Sequence, residues 1–114
     1  MNDSPEAIVV ITTVEDQKDG EALGQALVER QLAACVQVLP AMTSVYRWQE
    51  HIEYATESLL LIKTIRALYI PLEAAIKEHH RYQTPEIIAL PVLAGSDDYL
   101  TWLTSVVKRQ AESV

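Results

Sequence analysis

Residues 79–93 read HHRYQTPEIIALPVL, and the change of character along this stretch decides the fold. The histidines close ALYIPLEAAIKEHH (67–80), whose apolar spacing predicts a helix. Pro71 is tolerated only in a helix's first turn, so this helix firms up near Pro71. Pro85 holds Thr84 extended and stops the helix continuing. The unbroken apolar run EIIALPVL (86–93) then reads as a strand. The stretch is first a turn that aims a helix into a buried strand.

Working outward, AIVVITT (7–13) is a β-branched run and reads as a first strand. Thr13 with Asp16 resembles a helix-start capping pair. Leu23, Ala26, Leu27 and Arg30 fall at helical spacing through Gln31, with DQKDGE placed on the solvent side. Gly20 and Gly24 weaken that helix by ~1 kcal/mol each against Ala. LAACVQVLP (32–40) reads as a second strand, checked by Pro40. TSVYRWQ (43–49) turns near Glu50 and His51 and returns as IEYATESLLLIKT (52–64). That is a long hairpin, bent or bulged around Pro40 and Ala41. Ser96 caps a last helix, DDYLTWLTSVVK (97–108), with Asp97 and Asp98 at its positive end and Lys108 and Arg109 at its negative end. The order β-α-β-β-α-β plus a terminal helix predicts a ferredoxin-like α+β fold, two helices over a four-stranded antiparallel sheet. The 114 residues suit one domain spanning 1–114, with 1–5 and 110–114 expected to be flexible.

Composition narrows the function. Nine basic against sixteen acidic residues give a net charge of −7, which argues against a nucleic-acid or anionic-membrane surface. The single cysteine, Cys35, allows no intrachain disulfide. The start MNDSPE lacks a signal peptide's basic region, and no run approaches the ~20 apolar residues of a membrane span. A cytoplasmic location is the expectation. With no Phe, aliphatic side chains must build the core.

AIVVI, LAACVQVL, LLLI and IIALPVL are apolar at successive positions, hence on both sheet faces. Each Leu, Ile or Val left in water forfeits ~1.5–3 kcal/mol. A homo-oligomer with its sheets facing inward is therefore expected. The plainer alternative is that the last helix covers part of the second face.

The candidate site residues are polar groups at the ends of these elements. Neighbouring His79 and His80 point ~100° apart on a helix, so they chelate poorly as a pair, and one of them can equally cap the helix. Glu86, with His80 and Tyr82 close by, can hold a cation or a small ligand, or form a structural hydrogen-bond network. Cys35 reads as a small buried hydrophobe or a copper(I) thiolate ligand. Tyr46 and Trp48 alternate on one face of the hairpin arm, and Glu57 and Lys63 share a strand face. Lys63 more simply makes an interfacial ion pair. Tyr46, Trp48, Glu57, Lys63, His80, Tyr82, Thr84 and Glu86 are expected to meet at an intersubunit cleft, with the arm and the turn supplied by different chains. No nucleophile elbow, P-loop or zinc-protease motif is present, so no catalytic residue is assigned.

LAACVQVLP, the YRWQ…IEYATESLLLIKT hairpin, HHRYQTPEIIALPV and YLTWL together resemble the CutA-type divalent-cation-tolerance family over nearly the whole chain. The resemblance implies a tight homotrimer similar to PII-type signalling trimers, and an association with copper and other divalent metals. It implies no enzymatic activity. Some relatives carry further cysteines where this chain has Thr12 and Ala75, so copper binding carries over at reduced strength. The leading reading is a non-enzymatic cytosolic trimer in divalent-metal tolerance, with no obligatory cofactor, binding copper or another divalent cation weakly through His79, His80, Glu86 and Cys35. The runner-up is a PII-like trimer binding a small anion or metabolite between subunits. A third is a scaffold whose stability is its main property.

Overall fold

The fold is organised around its longest strand. The structure, a computed structural model, describes residues 6–108; the expectations for residues 1–5, for Arg109 and for 110–114 lie outside the described residues. In chain order the elements are β1 (Ala7–Val14), α1 (Gln17–Glu29), β2 (Cys35–Val38), β3 (Met42–Trp48), β4 (His51–Ile65), a 3-10 turn (Arg66–Leu68), α2 (Tyr69–His79), β5 (Ile87–Pro91) and α3 (Asp97–Ser105). The C-terminal half of β4 pairs with β1 and β2, and β5 pairs with β1, giving the antiparallel order β2-β4-β1-β5. Among the described residues the N-terminal half of β4 pairs only with β3, so this hairpin projects as a two-stranded arm.

The sheet therefore has five strands where four were expected. The expected second strand, residues 32–40, is hydrogen-bonded as a strand only over Cys35–Val38. Pro40 has no N–H to offer β4, and pairing resumes at Met42 opposite Glu57.

One sheet face is closed by α1 and α2. Val10, Leu60 and Ile62 are fully buried there with Leu27, Leu72 and Ile76, each contributing ~1.5–3 kcal/mol. Gly20 and Gly24 explain why a helix tolerates two glycines. A Cβ on Gly20 would lie 2.9 Å from Val38 Cγ1, and one on Gly24 3.1 Å from Val36 Cγ1. The helix backbone itself approaches the sheet, so Gly20 is buried rather than solvent-facing as DQKDGE suggested. Asp16, not Thr13, caps α1, accepting the Asp19 N–H at 2.8 Å. The helix ends at Glu29 in a Schellman turn, Gln31 N–H to Val28 O and Leu32 N–H to Leu27 O, with Gln31 at φ 60°.

Pro71 sits in the first turn of α2, and Ser96 caps α3 by accepting the Tyr99 N–H at 3.2 Å. α3 ends at Ser105, so Lys108 lies beyond its last turn. The Lys108 backbone N–H instead donates to Gln31 O at 3.0 Å.

On the other sheet face α3 covers only one end, where Leu103 and Val107 pack with Ala34, Ile65 and Leu68. Two cross-strand rows stay open: Cys35–Lys63–Val9–Leu90 and Gln37–Leu61–Ile11–Ile88. Ile88 and Leu90 are 49% and 47% exposed.

A cleft between the hairpin arm and the loop after the second helix

The loop from His80 to Glu86 is pinned by its own side chains. The Tyr82 N–H donates to His80 Nδ1 at 3.2 Å, so the proton sits on Nε2, which donates to the Thr13 carbonyl at 2.6 Å. The His80 and Tyr82 rings pack at 4.6 Å. Arg81 reaches back to Glu15 at 3.0 Å and Asp19 at 3.5 Å; both pairs are too exposed to add more than ~1 kcal/mol. Register is thus fixed mainly by His80, and Pro85 aims Glu86 into β5.

This holds Tyr82, Thr84 and Glu86 against the arm. Across from them stand Tyr46 and Trp48 of β3 and Glu57 of β4, and the groups enclose a cleft of about 780 Å³. Thr13, Glu15, Ser44, Val45, Ala55, Thr56 and Gln83 complete its lining. Tyr46 and Trp48 share a strand face and are exposed, while Glu57 is 8% exposed. Burial, and then the adjacent Glu57 carboxylate, push the Tyr82 phenol well above its ordinary range; Glu15 and Tyr46 add to this.

Six of the residues read from the sequence are thus brought together: Tyr46, Trp48, Glu57, Tyr82, Thr84 and Glu86. A single chain supplies both arm and loop, where different chains had been expected. Lys63 stands six residues from Glu57 along β4, roughly 20 Å, with its Nζ 5.8 Å from the centre of the Tyr99 ring. Cys35 pairs with Lys63 on the open face, half-buried and four β4 positions, ~13 Å, from the Thr13 row. His79 is exposed, its Nδ1 3.3 Å from the Ala75 carbonyl, and among the described residues Nε2 has no hydrogen-bond partner. Among the described residues no three His, Cys, Asp or Glu groups converge to hold a metal ion. His79, His80, Glu86 and Cys35 therefore do not form one centre within a chain. Glu15 was not singled out from the sequence: it enters the lining because β1 ends beside the loop, which is a matter of topology.

A ferredoxin-like α+β chain with an open apolar sheet face and a cleft under a projecting arm is the class that the fold and site define. The family described as "CutA1 divalent ion tolerance protein" matches residues 8–106. The chain belongs to this CutA1 family. A "Divalent-cation tolerance protein CutA" of Thermus thermophilus is 43% identical over 95 residues, covering 83% of this chain and 92% of that protein. "Protein CutA, chloroplastic" of Arabidopsis thaliana is 43% identical over 97 residues, 85% of this chain; the chain spans about half, 53%, of that relative. The crystal structure of CutA1 from Oryza sativa superposes with a TM-score of 0.91 at 36% identity, covering 94% of this chain and 98% of that one.

Proposed function

We propose that the chain assembles through its open sheet face into a homotrimer that serves divalent-metal tolerance, copper included, in the cytoplasm and without catalysing a reaction. The observation that carries the assembly is the pair of open rows, with Ile11, Leu61, Ile88, Val9 and Leu90 on one surface that α3 covers only at one end. Burying such side chains against another copy gains ~1.5–3 kcal/mol each. Cys35 and Lys63 lie in the same rows, so assembly would enclose them. The role in tolerance rests on the family and on the names of the relatives. Metal binding is weak in this reading, because only separate ligands such as His79 Nε2 and the cleft carboxylates are offered. The reading without catalysis rests on the sequence, which carries no nucleophile elbow, P-loop or zinc-protease motif. Among the described residues no helix is long and apolar enough to cross a membrane.

Copper(II) titration with His79→Ala and Cys35→Ala, read beside the mass by light scattering with and without chelator, tests this. Weak binding reduced by His79→Ala, in a particle of about three times 12.8 kDa, is the expected result. A monomer, or binding that neither variant alters, contradicts it.

The cleft favours a second reading, a trimer that binds a small ligand in the manner of a PII-type sensor. Among the described residues its lining holds three carboxylates and no Lys, Arg or His, which argues against a small anion as the occupant.

A further inference from the structure

We infer that the cleft between the arm and the 80–86 loop takes an organic polycation, a linear aliphatic di- or polyamine. This deepens the small-ligand reading and is independent of the role in metal tolerance. Glu15 from the end of β1, Glu57 of β4 and Glu86 from the end of the loop all line the cleft, Glu15 also pairing with Arg81 at 3.0 Å, and Tyr46, Trp48 and Tyr82 add aromatic surface. Glu57 is the critical group. It is 8% exposed, lines the cleft, and has no Lys, Arg or His in salt-bridge range among the described residues. Every ion pair found among those residues involves other groups. The Tyr82 hydroxyl hydrogen-bonds Glu57 but brings no positive charge, and a cation carried by a ligand would supply the missing counter-charge.

The class of cation follows from the shape. A bare metal ion needs several donors on one point, and no three acidic, His or Cys groups converge here. A volume of about 780 Å³ is that of an organic ligand rather than an ion. Ammonium groups are attracted both to carboxylates and to the faces of Trp and Tyr. Carboxylates that line one cleft without converging on a point match positive charges spaced along a flexible chain, and the methylenes between those charges suit the aromatic surfaces.

The test is calorimetric titration with spermidine and with cadaverine at 150 mM salt, on the assembled protein, against a neutral diol of similar length and Mg²⁺ at matched ionic strength. Saturable binding of one spermidine per protomer is expected, with the diol inert. Glu57→Gln weakens it at least tenfold, whereas Glu29→Gln on the outer face of α1 leaves it unchanged. Tyr46→Ala, at an exposed position, gives a second reading should Glu57→Gln fold poorly, with a several-fold loss expected. Binding insensitive to both cleft variants, or matched by Mg²⁺, would be attraction to the acidic surface at large and overturns the inference. No binding, with Glu57→Gln loosening the trimer, means that a cation of a second copy already satisfies Glu57, and overturns it too. Light scattering on the same samples separates these failures from a failure of the trimer.

Discussion

His80 donates from Nε2 to the carbonyl of Thr13 at 2.6 Å, joining residues 67 positions apart in sequence. The same ring accepts the Tyr82 N–H, so one neutral imidazole fixes both the start of the 80–86 loop and its distance from β1. One of the two histidines offered as metal ligands is thus the bolt that closes one wall of the cleft.

Replacing His80 by Ala removes two hydrogen bonds at ~0.5–1.5 kcal/mol each, so a loss of ~1–3 kcal/mol is expected in denaturant unfolding. Hydrogen exchange should quicken at residues 80–86 before it does in β4. A variant of unchanged stability and unchanged exchange would show that the loop is held by other contacts.

Tyr82 gives a pH signature. Its ordinary value is 10.0, and the folded protein holds it higher. Below pH 10 folded and unfolded chains both keep the proton, and the contribution is fully present. Above it the unfolded chain releases the proton while the folded chain keeps it, so stability falls as pH rises past 10. The Tyr69 phenol is also raised, by burial and then by Glu73, so the comparison must be with Tyr82→Phe, which should lose stability less steeply over this range. Identical slopes would contradict the burial of the phenol beside Glu57.

Backbone strain predicts two gains. Gln31 ends α1 at φ 60°, and Gln49 and Glu50 form the arm's two-residue turn at φ 50° and 69°. Left-handed backbone costs a side-chain-bearing residue ~1–2 kcal/mol, and glycine returns ~0.4–1 of that through unfolded-state entropy. Gln31→Gly and Glu50→Gly should each stabilise by roughly 0.5–1 kcal/mol in thermal unfolding. A destabilisation would mean that the side chains are themselves held.

Thr12 is fully buried, and among the described residues its hydroxyl has no hydrogen-bond partner. Thr12→Val keeps the shape and removes a desolvated polar group, so a gain of ~1 kcal/mol is expected by denaturant titration. A loss would reveal a partner for the hydroxyl in solution.

Much of the fold was legible because the chain punctuates itself. Pro85 separates α2 from β5, Pro40 breaks the hairpin, and Ser96 starts α3. Two-sided apolar strands foretold the open face. What sequence spacing could not give was tertiary approach. Gly20 and Gly24 read as weak helix formers until the sheet beneath them is seen. Six of the cleft residues were readable as polar ends of neighbouring elements, but Glu15 comes from the end of a third. Lys63 shares a strand face with Glu57 and was drawn into the same cleft, although strand length carries it to the opposite end of the sheet.

The open rows make the assembly the central claim, and the mass in solution tests it most directly. Ile88 lies half-exposed on that face, whereas Leu60 is fully buried in the protomer, so Leu60→Asp would report on folding and Ile88→Asp on assembly. Light scattering at micromolar concentration should give about three times 12.8 kDa for the wild type, and a smaller, still folded particle for Ile88→Asp. A wild-type protein that is monomeric at that concentration would contradict the account.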